Sequence, residues 1–80
     1  MKELRSVVNL CSYGKISIHL KEVIDKRGLT RYRLAKLADT RFEVVEKWSA
    51  GSVDRIDEDV LARFCYILHC DVNEIIRYDK

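Results

Sequence analysis

Residues 29–51 read LTRYRLAKLADTRFEVVEKWSAG. Thr30 is a good N-cap, because its hydroxyl accepts from the backbone N–H groups that a helix start leaves without partners. From there RYRLAKLA runs to Ala38, and some combination of Leu34, Ala35, Leu37 and Ala38 forms its buried side. A second helix covers about Arg41 to Ser49, with Val45 and Trp48 at core spacing, and Gly51 ends it. Two helices of about eight to nine residues joined by three to four residues make a helix-turn-helix. Ala35 lies where the two helices cross, and only a small side chain there lets the backbones approach. Leu34, Val45 and Trp48 fill the sides of that crossing, which leaves the outward face of the second helix free.

Working outward, a helix from about residues 17–19 to Arg27 places Leu20, Val23, Ile24 and Arg27 on one face. Gly28 is its expected C′ residue, and Leu29 packs back across the turn. Before it, Ile16 and Ile18 alternate with polar residues in KISIH, as in a short strand. Leu4, Val7, Val8 and Cys11 fit a helical stripe stopped by Gly14, with an extended arm as the alternative for residues 1–14. After Gly51, Asp57 is the N-cap of a fourth core helix that buries Leu61, Phe64, Cys65 and Leu68, with Ile56 and Leu61 as a hydrophobic staple. Asp71 and Glu74 make a D-x-x-E capping pattern for a short fifth helix, flanked by a Cys70–Ile75 staple and closed by Ile75 and Ile76. The tail RYDK is strand-like and can pair with residues 16–18.

The expected fold class is therefore all-α, a compact five-helix domain with a possible extra N-terminal helix or arm. Residues 15–80 form the domain, residues 30–49 its helix-turn-helix, and residues 1–14 an N-terminal extension. Eighty residues, 48% of them hydrophobic and 35% charged, have a globular composition and leave no room for a second core. No stretch approaches the roughly 20 apolar residues of a membrane span. The N-terminus mixes charges into its apolar positions and does not read as a signal peptide, so a cytoplasmic, nucleoid-associated location is expected. Cys11, Cys65 and Cys70 are an odd count with no C-x-x-C pair, which argues against a disulfide framework and a zinc ribbon. The net charge of +2 is unevenly placed: residues 1–55 carry +5 and residues 56–80 carry −3. A basic front and an acidic back suit a protein that presents one side to a polyanion.

Leu29, Thr30, Leu34, Ala35, Val45, Trp48 and Gly51 match in register the pattern L-T-x-x-x-L-A-x-x-x-G-[VIL]-S-x-x-x-[IV]-x-x-[WL]-x-x-G. On these residues the chain resembles the Cro/lambda-repressor-like (XRE) family, and the stretch IDEDVLARFCYILHCDVNEII is similar to that family's C-terminal half. The resemblance covers roughly residues 16–77 and implies a double-stranded DNA-binding transcriptional regulator of bacterial or phage origin, a repressor that binds as a homodimer. It places base-edge contacts at Arg41, Phe42, Glu43, Val44 and Lys47. Backbone contacts would come from Thr30 and Arg31, with Tyr32 and Arg33 nearby, and from Ser52 and Arg55 in the following loop. Three residues depart from the pattern. Asp39 replaces the turn glycine, Thr40 the usual aliphatic residue and Arg41 the usual cap. Thr40 and Glu43 spell T-x-x-E, so a capping box one residue early would start the helix at Thr40 and give Glu43 to the helix instead of to DNA.

Other readings accompany these. Residues 41–49 hold two basic and two acidic side chains, whereas phosphate neutralisation supplies much of a DNA binder's affinity. The same fold used as a protein-interaction module, antitoxin-like or anti-repressor, fits that neutrality. Phe42 and Val44 are alternatively core or dimer residues, and Trp48 is core. His69 beside Cys70 and Cys65 lacks a fourth metal ligand. Neither His19 nor His69 has a partner at catalytic spacing and no Gly-rich phosphate loop exists, so no enzyme, cofactor, metal or small-molecule substrate is expected.

Overall fold

The computed structural model describes residues 13–80. In chain order it contains β1 (Lys15–Ile18), α1 (Leu20–Arg27), α2 (Arg31–Leu37), α3 (Phe42–Ala50), α4 (Glu58–Leu68), α5 (Val72–Ile75) and β2 (Ile76–Asp79). The expected helix or arm through Leu4, Val7, Val8 and Cys11 lies outside the described residues. The five helices pack around one core, and the two strands pair antiparallel as a small ribbon, with Ile16 opposite Tyr78 and Ile18 opposite Ile76. The strand-like tail thus meets the KISI strand as its alternating pattern suggests.

Each helix contributes the apolar positions its period assigns. Leu20, Val23 and Ile24 come from α1, Leu34 and Ala35 from α2, Val45 and Trp48 from α3, Phe64 and Leu68 from α4, and Ile75 from α5. Phe64 is fully buried and meets Trp48 edge to face, with ring centroids 5.4 Å apart. That geometry sets the positive ring edge against the negative ring face. In α2 the combination left open by periodicity is Leu34, Ala35 and Ala38, with Leu37 remaining 47% exposed. In α4, Leu61 and Cys65 are only half-buried at the core's margin, and Ile56 stays exposed instead of closing a staple.

The helix starts follow their side chains. Thr30 Oγ1 accepts from Arg33 N–H at 3.0 Å, and Asp57 Oδ1 accepts from Asp59 N–H at 2.9 Å. The Asp71–Glu74 capping box forms, with Glu74 Oε2 accepting from Asp71 N–H at 3.1 Å. The stops share one motif. After α1, α2, α3 and α4 a residue takes the left-handed conformation, and the next N–H reaches back five residues to a helix carbonyl: Leu29 to Ile24, Thr40 to Ala35, Ser52 to Lys47 and Cys70 to Cys65. Gly28 and Gly51 take that conformation without a Cβ penalty, whereas Asp39 (φ 54°) and His69 (φ 51°) carry a side chain into it.

Candidate nucleic-acid interface

The interface is built on the α2–turn–α3 unit. Ala35 is buried where α2 meets α3, with Leu34, Val45 and Trp48 around it. The turn is pinned from outside by Arg63 of α4. Its guanidinium donates to the carbonyl oxygens of Ala38 at 2.9 Å and Asp39 at 3.3 Å, and pairs with Asp59 at 2.8 Å. These carbonyls end α2, where a cation also complements the helix dipole. Arg27 serves the end of α4 in the same way, donating to Leu68 O at 2.6 Å and His69 O at 3.0 Å.

The early capping box at Thr40 does not form. Thr40 N–H is consumed by Ala35 O at 3.0 Å, which makes Thr40 the last residue of the α2 stop. One extended residue, Arg41 (φ −74°, ψ 148°), then serves as N-cap without a side-chain bond, and α3 begins at Phe42. Glu43 sits in the first turn of α3, exposed and with no side-chain partner among the described residues. It complements the dipole there but caps nothing.

The residues expected at the interface divide into two groups beside α3. Arg41, Phe42, Glu43 and Lys47 are exposed on its outer side, while Val44 is half-buried and packs against the core's edge. Lys47, Ser52 and Arg55 line a cleft of about 420 Å³ between α3 and the loop that follows it, together with Val44, Asp54 and Asp57. On the other side, Thr30, Arg31, Tyr32 and Arg33 are exposed at the start of α2. Tyr32 reaches Phe42, with ring centroids 6.0 Å apart, and Lys36 Nζ lies 5.9 Å from the Tyr32 ring. Arg31 pairs with Glu46 at 3.0 Å. That pair changes the charge reading of α3, because one of its two carboxylates is matched by a cation from α2. Sequence reasoning missed Glu46 and Arg63, whose contacts cross elements, and Lys36, which meets Tyr32 at i,i+4 spacing within α2.

His19 requires a correction. Ser17 Oγ lies 2.8 Å from its Nε2, and Glu22 Oε2 lies 3.0 Å from its Nδ1. The sharp passage from β1 into α1 brings both neighbours to the ring. The row has the order of a Ser–His–carboxylate relay, and the backbone N–H of His19 donates to Ile75 O at 2.6 Å. These bonds tie the corner between β1 and α1 to α5. At the end of α4, burial pushes the thiols of Cys65 and Cys70 up, that of Cys70 to about 11. Both therefore stay protonated at neutral pH and fill space at the core's margin.

No helix among the described residues is long and apolar enough to cross a membrane. The model of the Cro/C1-type helix-turn-helix DNA-binding domain matches residues 19–80. Comparison with curated proteins finds no significant match. Among solved structures, a candidate DNA-binding protein from Bacteroides fragilis is similar, with a TM-score of 0.71 over 79% of this chain and 100% of that one, at 17% identity. That likeness concerns the fold, whereas the family match spans most of the chain and includes the crossing, the turn and the exposed helix described above. The chain belongs to the Cro/C1-type helix-turn-helix DNA-binding domain family.

Proposed function

We propose that this protein is a sequence-specific transcriptional regulator of bacterial or phage origin, a repressor that acts in the cytoplasm and binds a palindromic duplex as a homodimer. The observation that carries the reading is the division of α3 into two faces: Val45 and Trp48 are buried, while Arg41, Phe42, Glu43 and Lys47 face solvent. A helix held in this way can lie in the major groove without disturbing its own packing. Arg41 and Lys47 reach guanine edges or phosphates, and Phe42, supported by Tyr32, meets thymine methyl groups. Glu43 accepts from a cytosine amino group, and Val44 adds apolar contact near the groove floor. Thr30, Arg31, Tyr32 and Arg33 hold one stretch of backbone, while Ser52 and Arg55 hold another. In a homodimer, two α3 helices about 34 Å apart read successive major grooves on one side of the duplex. Occupancy of such a site blocks polymerase access, which is the basis for reading a repressor. Residues 15–80 are the DNA-binding unit in this proposal, and residues 1–14 are an extension to it.

Selection from random duplexes, followed by fluorescence anisotropy at two salt concentrations, tests the reading. The expected result is enrichment of a palindrome, bound with an affinity that falls as salt rises. Absence of both enrichment and salt-dependent binding overturns it.

A further inference from the structure

The corner between α4 and α5 brings Cys65 and Cys70 together. Cys65 lies in the last turn of α4, His69 takes the left-handed conformation (φ 51°), and the N–H of Cys70 returns to Cys65 O at 3.1 Å. A helix stop of this kind commonly sets the side chains of its first and sixth residues against each other. In the stops after α1, α2 and α3 those two places belong to Ile24 and Leu29, Ala35 and Thr40, and Lys47 and Ser52. After α4 both belong to cysteines. The backbone bond also bounds their separation. With N and O 3.1 Å apart, the two Cα atoms stand no more than about 7 Å from each other, and disulfides usually bridge Cα atoms about 4.4–6.8 Å apart.

The corner is held in this shape from outside. Arg27 donates to Leu68 O at 2.6 Å and to His69 O at 3.0 Å, on the two residues just ahead of Cys70. The Asp71–Glu74 capping box fixes the chain just after it. Joining the two sulfurs therefore costs little further chain entropy. Both thiols are free and half-buried, and each shifts the other's protonation, as neighbouring groups do. Burial pushes both up, Cys70 to about 11, and this has two consequences. The attacking thiolate is scarce at neutral pH, so exchange is slow. A thiol of high pKa is also a poor leaving group, so a bond once formed persists.

We propose that Cys65 and Cys70 form a reversible disulfide across the α4–α5 corner, by exchange with a low-molecular-weight disulfide of the glutathione type. The thiolate of Cys65 attacks one sulfur of the glutathione disulfide, which gives a mixed disulfide and releases one glutathione thiolate. The thiolate of Cys70 then attacks the Cys65 sulfur and releases the second. The two cysteine thiols give up two protons and two electrons, and the glutathione disulfide takes up both as two thiols. Cys65 acts first because Cys70 is the more strongly raised of the pair. One bond of this kind modifies a domain that is already folded, unlike the disulfide framework that the odd cysteine count argues against. It joins the last turn of α4 to the start of α5 and leaves the outer face of α3 outside the ring, so it stands apart from the DNA reading.

The test uses the wild-type full chain, incubated with mixtures of reduced and oxidised glutathione, quenched with acid, alkylated, and cut after lysine and arginine. Residues 64–77 then form one peptide that holds both cysteines, and Cys11 falls in another. Mass spectrometry distinguishes two alkylated thiols, glutathione adducts and one internal disulfide. The internal disulfide is expected, with an effective concentration against glutathione at least tenfold higher in the native chain than in guanidinium. By linkage, oxidation then favours folding by the same tenfold, about 1.4 kcal/mol. Its rate of formation should rise about tenfold per unit between roughly pH 7 and pH 9, because both thiols titrate above that range. A peptide that stays alkylated, or that stops at glutathione adducts, overturns the proposal. A native preference below tenfold overturns it too, since the fold then does not hold the pair in place.

Discussion

The inner and outer faces of α3 belong to one nine-residue helix and follow different rules. Val45 and Trp48 on the inner face are 0% and 3% exposed, and they stand where apolar periodicity puts them. The outer face carries Phe42, Glu43 and Lys47, preceded by Arg41, with a net charge of only +1 and no period of its own. Inside, close packing selects each residue by size and leaves few alternatives. Outside, folding tolerates almost any polar residue, so what stands there is set by the partner. Glu46 lies between these regimes, half-buried and paired with Arg31, and it converts an apparent charge deficit of the helix into a link between α2 and α3.

Substitutions on the two sides should separate stability from binding, and the largest stability effect belongs inside. Phe64→Ala removes the ring that Trp48 packs against and should cost about 3–5 kcal/mol in chemical denaturation. A loss under about 1 kcal/mol would mean that the inner face is loosely packed. Ala35→Leu overfills the crossing of α2 and α3 and should cost about 1–3 kcal/mol. DNA affinity should fall further than stability if the crossing also sets the angle at which α3 is presented. On the outer face, Lys47→Ala should change stability by no more than about 0.5 kcal/mol. It should weaken DNA binding, and a fall of about one in the slope of log affinity against log salt would mark a phosphate contact. An unchanged slope with altered sequence preference would instead place Lys47 on a base edge.

Two smaller effects concern charge. Glu43→Gln keeps an oxygen that accepts from a cytosine amino group but removes a charge that repels phosphate, so DNA affinity should rise, while stability falls by about 0.3–1 kcal/mol from the lost dipole interaction. A larger loss in thermal melting would return Glu43 to a structural role. For Arg31 and Glu46, a double-mutant cycle should give a coupling of about 0.2–1 kcal/mol, as befits a half-exposed pair. Zero coupling would remove the link between α2 and α3.

The elements were largely legible because their signals are local. Thr30, Asp57 and the Asp71–Glu74 pair start helices through bonds spanning two or three residues. Gly28 and Gly51 end helices through a backbone conformation that their own lack of a side chain permits. The reading failed where two local signals competed. Thr40 and Glu43 spell a capping box, yet the N–H of Thr40 completes the stop of α2, and a residue that finishes one helix in this way is not free to begin the next. His19 shows the same limit, since its hydrogen-bonded row depends on the angle between β1 and α1. Of the residues expected at the interface, the resemblance put Arg41, Phe42, Glu43 and Lys47 on the exposed side of α3, where they are exposed, whereas the half-burial of Val44 depends on the loop and α4 that cover it.

By itself, then, the order of residues determined the five helices, the caps at Thr30, Asp57 and Asp71 and most of the apolar set that forms the core, because periodicity and capping act within a few residues along the chain. It also determined the family, through a register of seven residues from Leu29 to Gly51. The tertiary structure decided which cations are spent on the fold and which stay available. Arg27 and Arg63 close the ends of α4 and α2, while Arg31, which also pairs with Glu46, stays exposed with Arg41 and Lys47. These assignments depend on distances between elements far apart in sequence, such as Arg27 and Leu68, and the helix-turn-helix acquires its particular outer face only when those elements are packed.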